Sequence, residues 1–317
     1  MIIQFILLFF GLALLWGGAE LLIRYSSALA RSMGVSPIII GLTIVSIGTS
    51  LPEFVVSLIA AMQNTMGISI GNIIGSNIAN MGLILGIGAL IVNLEVKKEW
   101  VYKEIPFMLF ATFIFTLFAR TNYTLGRIEG SILFLFLILF LGYLYRASML
   151  QIRTSEDNKQ KESQLNPNTK LLYLLLAILG IAFLIYGSKT TVNAGIKIAS
   201  TLGVNETVIG LTLIAVGTSL PELATTIVGV LKNENDIVVG NVIGSNIFNL
   251  LFIGGAVPLI QPIQISTHLF EKEFYVLIGL SVLIWPIVRI RWNVQRIEGL
   301  ILLVIYILFI ISTFQIT

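Results

Sequence analysis

The sequence predicts an all-α membrane protein: ten transmembrane helices in two inverted five-helix repeats. Three observations lead there. Of 317 residues, 56% are hydrophobic and only 11% charged, with a mean hydropathy of +0.97, whereas soluble domains carry about 25% charged residues. Apolar runs repeatedly reach the roughly 20 residues that cross a hydrocarbon core. The chain also resembles itself at an offset of 169 positions. Five crossings fall in each copy, and an odd number makes the second copy enter the membrane in the opposite sense.

The predicted spans of the first copy lie near 2–30, 37–62, 67–92, 104–119 and 127–148. Those of the second lie near 170–198, 207–231, 236–260, 270–288 and 297–315. The first and sixth exceed the bilayer minimum, so tilt is expected. The first span lacks a basic leader and a small-residue cleavage site, so it reads as a span and not a removable signal. Residues 151–169 form the only polar linker, expected as a cytoplasmic loop between repeats 1–150 and 170–317.

Charge sets an expected orientation. With the N-terminus outside, all 19 lysines and arginines but five fall on the inside: Arg120, Arg127 and Lys272 lie outside, and Lys189 and Lys197 within the sixth span. Positive residues mark cytoplasmic loops. Both termini are therefore expected outside a cell (plasma) membrane. The same loop charges explain a pI near 9.1 without nucleic acid. The chain has no cysteine, so it has neither disulfides nor a thiolate metal site. The single histidine, His268, falls in a loop far from the motifs, and nothing suggests a serine–histidine dyad. No GxxxxGK[ST] phosphate loop occurs, so direct ATP drive is not expected. No enzyme chemistry and no cofactor are expected.

The repeat is sharpest at two motifs. Gly41–Glu53 recurs as Gly210–Glu222 with 9 of 13 residues identical, and Gly71–Asn80 recurs as Gly240–Asn249 with 8 of 10 identical. Flanking glycines follow the offset: Gly11 with Gly180, Gly18 with Gly187. Ser50-Leu51-Pro52-Glu53 and Ser219-Leu220-Pro221-Glu222 combine a helix-breaking proline with a capping box. A half-helix is expected to start at each, with carbonyls released around Ser46–Thr49 and Ala215–Thr218. The glycines at 71, 75, 240 and 244 are expected to let helices approach closely. Asn72, Asn77, Asn241 and Asn246 suit bonds to neighbouring helices.

An ionisable residue within a span is a functional candidate by default. Glu53, Glu222 and Glu20 are the acids placed clearly within spans, and an ion pair is the simpler account of Glu20. Around Glu53 and Glu222 the motifs supply serine and threonine hydroxyls, asparagine amides and free carbonyls. Such hard oxygen ligands suit calcium, which takes 6–8 oxygens, and not zinc or copper.

These paired motifs, one set per half, resemble the alpha repeats of the calcium/cation antiporter superfamily, nearest its prokaryotic sodium/calcium exchanger branch. The resemblance covers the whole chain. It implies ten helices, a site built by the second, third, seventh and eighth spans, and sodium entering as calcium leaves, commonly three for one. It implies Glu53 and Glu222 as principal ligands and carbonyls from Thr49, Thr218, Ser46 and Ala215. Ser50, Ser219, Ser76 and Ser245 would line sodium sites, with Asn80 and Asn249 completing the centre. Some relatives carry aspartate at one of these asparagine positions. Its absence here leaves two central charges and keeps proton/calcium and potassium-dependent exchange open as alternatives. A channel is the other class, distinguished by conductance in place of coupled counterflow. The expected partners are the transported ions and the bilayer, with the chain acting as a monomer.

Overall fold

In hydrocarbon every backbone N–H and C=O must be paired within its own segment, so long apolar runs fold as helices. The computed structural model describes residues 1–121, 123–158, 166–202, 217–266 and 272–314, with 151–158 as backbone only. The helices are α1 Ile2–Met33, α2 Pro37–Thr49, α3 Leu51–Met62, α4 Met66–Ile91, α5 Lys98–Arg120, α6 Arg127–Asn158, α7 Pro167–Thr201, α8 Leu220–Leu231, α9 Asn235–Ile260, α10 Glu273–Arg291 and α11 Arg296–Phe314. Among the described residues eight are long and apolar enough to cross a membrane, or nine when α2 and α3 count as one span bent by 42°. Of the expected span 207–231, residues 207–216 lie outside the described residues, as does His268.

The helices form a helical bundle around two central members. α4 and α9 are buried along 78% and 94% of their apolar stretches, and every other counted span along 39% or less. Outward faces carry exposed Ile2, Phe9, Ile128, Tyr145 and Leu300. That apolar surface suits lipid and not water.

Contacts are reciprocal under the 169-residue shift. α1 and α7 cross with Gly18 against Gly180 and Gly11 against Gly187, so close that a Cβ at Gly180 would lie 2.7 Å from the Gly18 oxygen. Gly86 meets Gly299 as Gly130 meets Gly255. Two short antiparallel ladders repeat the exchange: Leu94–Glu95 with Asn293–Val294, and Thr124–Leu125 with Ile263–Gln264. Thr112 and Ser281, themselves 169 apart, touch each other at 3.3 Å and mark the centre of this exchange. Gly180→Ala is expected to cost about 1–3 kcal/mol by overpacking. It should lower the thermal-unfolding midpoint of the detergent-purified protein, whereas Gly142→Ala, where a Cβ meets nothing within 4 Å, should not.

One expectation needs correction here. Residues 151–158 are helical, continuing α6 to Asn158, because extending a helix costs less than nucleating a new turn and this stretch holds neither glycine nor proline. α7 then starts at Pro167 behind Asn166, whose side chain accepts the Asn168 N–H at 3.2 Å. The glycines of the second motif pack as expected. A Cβ at Gly240 or Gly244 would lie 2.6–2.7 Å from Ile38 O or Ser46 Oγ, so α9 is wedged against α2. The segment that matches this part of α2 in the second half lies outside the described residues.

Charge is distributed unevenly between the halves. The turn between α8 and α9 and the first turn of α9 hold Lys232, Glu234 and Asp236. Lys232 pairs with Glu20 at 2.5 Å, Glu234 with Arg31 at 3.0 Å, and Asp236 with Lys97 at 2.5 Å. Ser27 adds a hydrogen bond to Glu234 at 2.6 Å. Glu20 is thus an ion-pair partner. The matching turn between α3 and α4, residues 63–67, carries no charged residue.

Candidate functional site

Proline at 52 and 221 has no N–H to offer the carbonyls of Gly48 and Gly217, four residues back. At Pro52 the backbone bends by 42° without coming apart. Ser50 N–H still donates to the Ser46 carbonyl at 3.0 Å and Phe54 N–H to the Ser50 carbonyl at 3.1 Å. The Ser46 carbonyl therefore keeps its helical partner, and the carbonyl that loses one is Gly48. In the second half the Gly217 carbonyl accepts Ser188 Oγ–H at 2.6 Å. Position 19, which matches Ser188, is alanine.

Ser50 and Ser219 sit at the N-caps of α3 and α8, yet neither side chain caps its own helix. The expected capping boxes do not form, because each hydroxyl is turned across the molecule. Ser50 donates to Glu222 at 3.3 Å and Ser219 donates to Glu53 at 3.2 Å. Capping falls to other glutamates: Glu129 accepts Gly126 N–H at 3.0 Å and Glu298 accepts Gln295 N–H at 3.1 Å.

This crossing places Glu53 and Glu222, both 1% exposed or less, beside one another's motif. Neither has a basic partner among the three described ion pairs. One oxygen of each carboxylate, Oε2, has no hydrogen-bond partner. Buried charge without compensation is costly, so the arrangement calls for a cation or a proton.

The site's other walls come from α4 and α9. Each passes through a π-helical turn, Asn80–Ile84 and Asn249–Ile253, opening at the expected asparagines. The Asn80 turn packs on α8 and the Asn249 turn on α3. Asn80 and Asn249 are buried, and all four of their amide heteroatoms lack partners. Buried amides left unbonded are expensive, and π turns concentrate at functional sites. No sequence signal announced these turns.

The remaining expected residues are buried around the same centre. Ser46 Oγ donates back to Leu42 O at 2.6 Å and Ser76 to Asn72 O. Ser245 reaches Asn241 Oδ1 at 3.4 Å. Thr49 Oγ1 donates to Asn241 Oδ1 at 3.2 Å and Thr218 Oγ1 to Asn72 Oδ1 at 3.4 Å. Ala215 lies outside the described residues. Asn77 and Asn246 bond carbonyls of their own helices, Ile73 O and Val242 O, at 2.7 and 2.8 Å. Among the described residues, Gly71, Asn72 and Gly75 are half-buried, and Gly240, Asn241 and Gly244 are buried.

The donor set is thus two carboxylates and neutral oxygens. No group of three or more His, Cys, Asp or Glu occurs among the described residues. Such a set can take one divalent hard cation, or several monovalent ones, at charge balance or near it.

Comparison with known proteins agrees with this geometry. The family described as "Sodium/calcium exchanger protein" matches twice, over residues 3–146 and 172–315, at the same 169-residue shift. The sodium/calcium exchanger MaX1 of Methanosarcina acetivorans is 32% identical over 99% of both chains. The inner membrane protein YrbG of Escherichia coli is 36% identical over 89% of this chain and 88% of its own. A structure of the sodium-calcium exchanger NCX_Mj, soaked with sodium and strontium, superposes with a TM-score of 0.84 at 31% identity, covering 97% of each chain.

Proposed function

Because this chain belongs to the sodium/calcium exchanger protein family, we propose that it exchanges sodium for calcium by alternating access at Glu53 and Glu222. The observation that carries the reading is the crossed pairing of Ser50 with Glu222 and Ser219 with Glu53, which leaves two buried carboxylate oxygens and two buried amides unbonded. Calcium takes the carboxylates, with carbonyls of Thr49 and Thr218 and the amides of Asn80 and Asn249. Sodium ions compete for the same oxygens, assisted by Ser50, Ser76, Ser219, Ser245 and the carbonyls of Ser46 and Ala215. Only an occupied site neutralises the acids, so only an occupied site permits the change of access.

The frame for this change is ten crossings in two inverted repeats, 1–150 and 170–317, joined by linker 151–169. The reciprocal contacts and the doubled family match support that division. α1 and α7, crossing glycine on glycine, form the sliding element. Basic residues place both termini outside and the linker in the cytoplasm, in the plasma membrane, the counterpart of the inner membrane in which the relative YrbG resides. In that orientation the ion-paired turn between α8 and α9 faces in.

The test is calcium-45 uptake into proteoliposomes loaded in turn with sodium, potassium or acid. Uptake driven by internal sodium alone is expected. Uptake driven by acid without sodium would replace this reading with proton exchange, and a strict need for potassium would add a third coupled ion.

A further inference from the structure

The paired motifs carry six asparagines, and the structure sorts them into three kinds. Asn80 and Asn249 are unbonded, and Asn77 and Asn246 bond back to their own helices. Asn72 and Asn241 instead bridge separate elements. Asn72 Nδ2 donates to the Glu53 carbonyl at 2.9 Å and to Ser57 Oγ at 2.8 Å, while its Oδ1 accepts from Thr218 at 3.4 Å. Asn241 Nδ2 donates to Thr225 Oγ1 at 3.1 Å, while its Oδ1 accepts from Thr49 at 3.2 Å and Ser245 at 3.4 Å. Each asparagine thus ties its own helix to the helix before it in the chain, and to the threonine of the opposite half.

We propose that Asn72 and Asn241 are positioning residues that lock the two halves' ligands into one constellation without touching the ion. Their donors and acceptors are already engaged, so neither amide needs a cation. What they hold is the machinery itself: the Glu53 backbone, and the two threonines whose carbonyls the proposed site uses. An amide is the side chain suited to this task, since it donates and accepts at once. Aspartate would lose the donor, and leucine both functions. Partners that orient metal ligands from behind typically change affinity by 10–100-fold when removed.

This inference rests on the proposed site, and the test separates the two. Calcium chloride is titrated calorimetrically into the intact detergent-purified protein. Glu53→Gln reports on the site, and Asn72→Ala and Asn241→Ala on the struts. Binding lost in Glu53→Gln, with Kd raised about tenfold in both alanine variants and site number unchanged, is the expected result. Thr218→Val keeps the carbonyl and removes only the hydroxyl, and serves should an alanine variant fail to fold. It should raise Kd a few-fold, and combined with Asn72→Ala it should add little, because the two share one contact. Combined with Asn241→Ala, its effect should multiply. An unchanged Kd in the asparagine variants with a lower melting midpoint would make them scaffold only and overturn the proposal, leaving the site intact. Undiminished binding in Glu53→Gln would overturn both.

Discussion

Replacing Glu53 or Glu222 with glutamine should abolish sodium-dependent calcium uptake in proteoliposomes, by at least about 100-fold. Even outer partners of a metal ligand are worth 10–100-fold, and among the described residues these carboxylates are the only buried charges at the centre. Glutamine nearly matches glutamate in shape and retains an oxygen to accept from Ser219 or Ser50, whose bonds span 3.2 and 3.3 Å. It also removes a buried, unpaired charge, which should leave the fold intact or firmer. Elution profile and thermal midpoint should therefore stay near those of the parent while flux disappears. Ordinary flux in either variant would refute the central placement of the pair.

The second large effect is on voltage. Two carboxylates balance one calcium ion, whereas three sodium ions leave one positive charge. One charge crossing 100 mV is worth about 2.3 kcal/mol. A 60 mV step should then change the steady calcium ratio about tenfold, since 1.4 kcal/mol is a decade. The site's charge decides which half of the cycle feels the field. Sodium-loaded translocation should be voltage-sensitive, and calcium-for-calcium exchange should not. Asn249→Asp adds a third acid, which makes the calcium form negative and the sodium form neutral. The voltage sensitivity should move to calcium-for-calcium exchange. Tracer counterflow at clamped potassium–valinomycin potentials measures both, and a calcium ratio indifferent to potential would rule out three-for-one coupling.

The acids, prolines and serines of the site were legible because they are improbable in an apolar run and occur twice. Composition alone pointed to a helical membrane fold. The direction of the serines was not legible. Ser50 and Glu53 satisfy a local capping pattern, and nothing local reveals that Ser50 is drawn to a carboxylate 172 positions away. The π turns at Asn80 and Asn249 were hidden for another reason: an extra residue shifts the phase of an apolar stripe, but α4 and α9 are buried on most sides and show no clear stripe to shift. The helical continuation to Asn158 was missed because polar composition was read as loop, although helix propagation tolerates polar residues that lack a breaker. Ser188, which occupies the carbonyl freed by Pro221, breaks the repeat pattern and so drew no notice from it.

If the two near-copies face opposite ways, as proposed above, they invite the idea of two equivalent end states, but the ion-paired turn makes them unequal. Lys232, Glu234 and Asp236 fasten one end with three charge pairs, whereas at the matching turn between α3 and α4 the described residues show Gln261 reaching Asn64 at 3.4 Å and no charge pair. Surface pairs are worth up to about 1 kcal/mol each, so the fastening can tilt the resting balance by at most about a hundredfold. Under the alternating access proposed above, that mouth is the one held shut at rest. Ionic strength on that side alone becomes a means of unlatching it, because screening weakens exposed pairs and leaves the buried crossing of the carboxylates untouched.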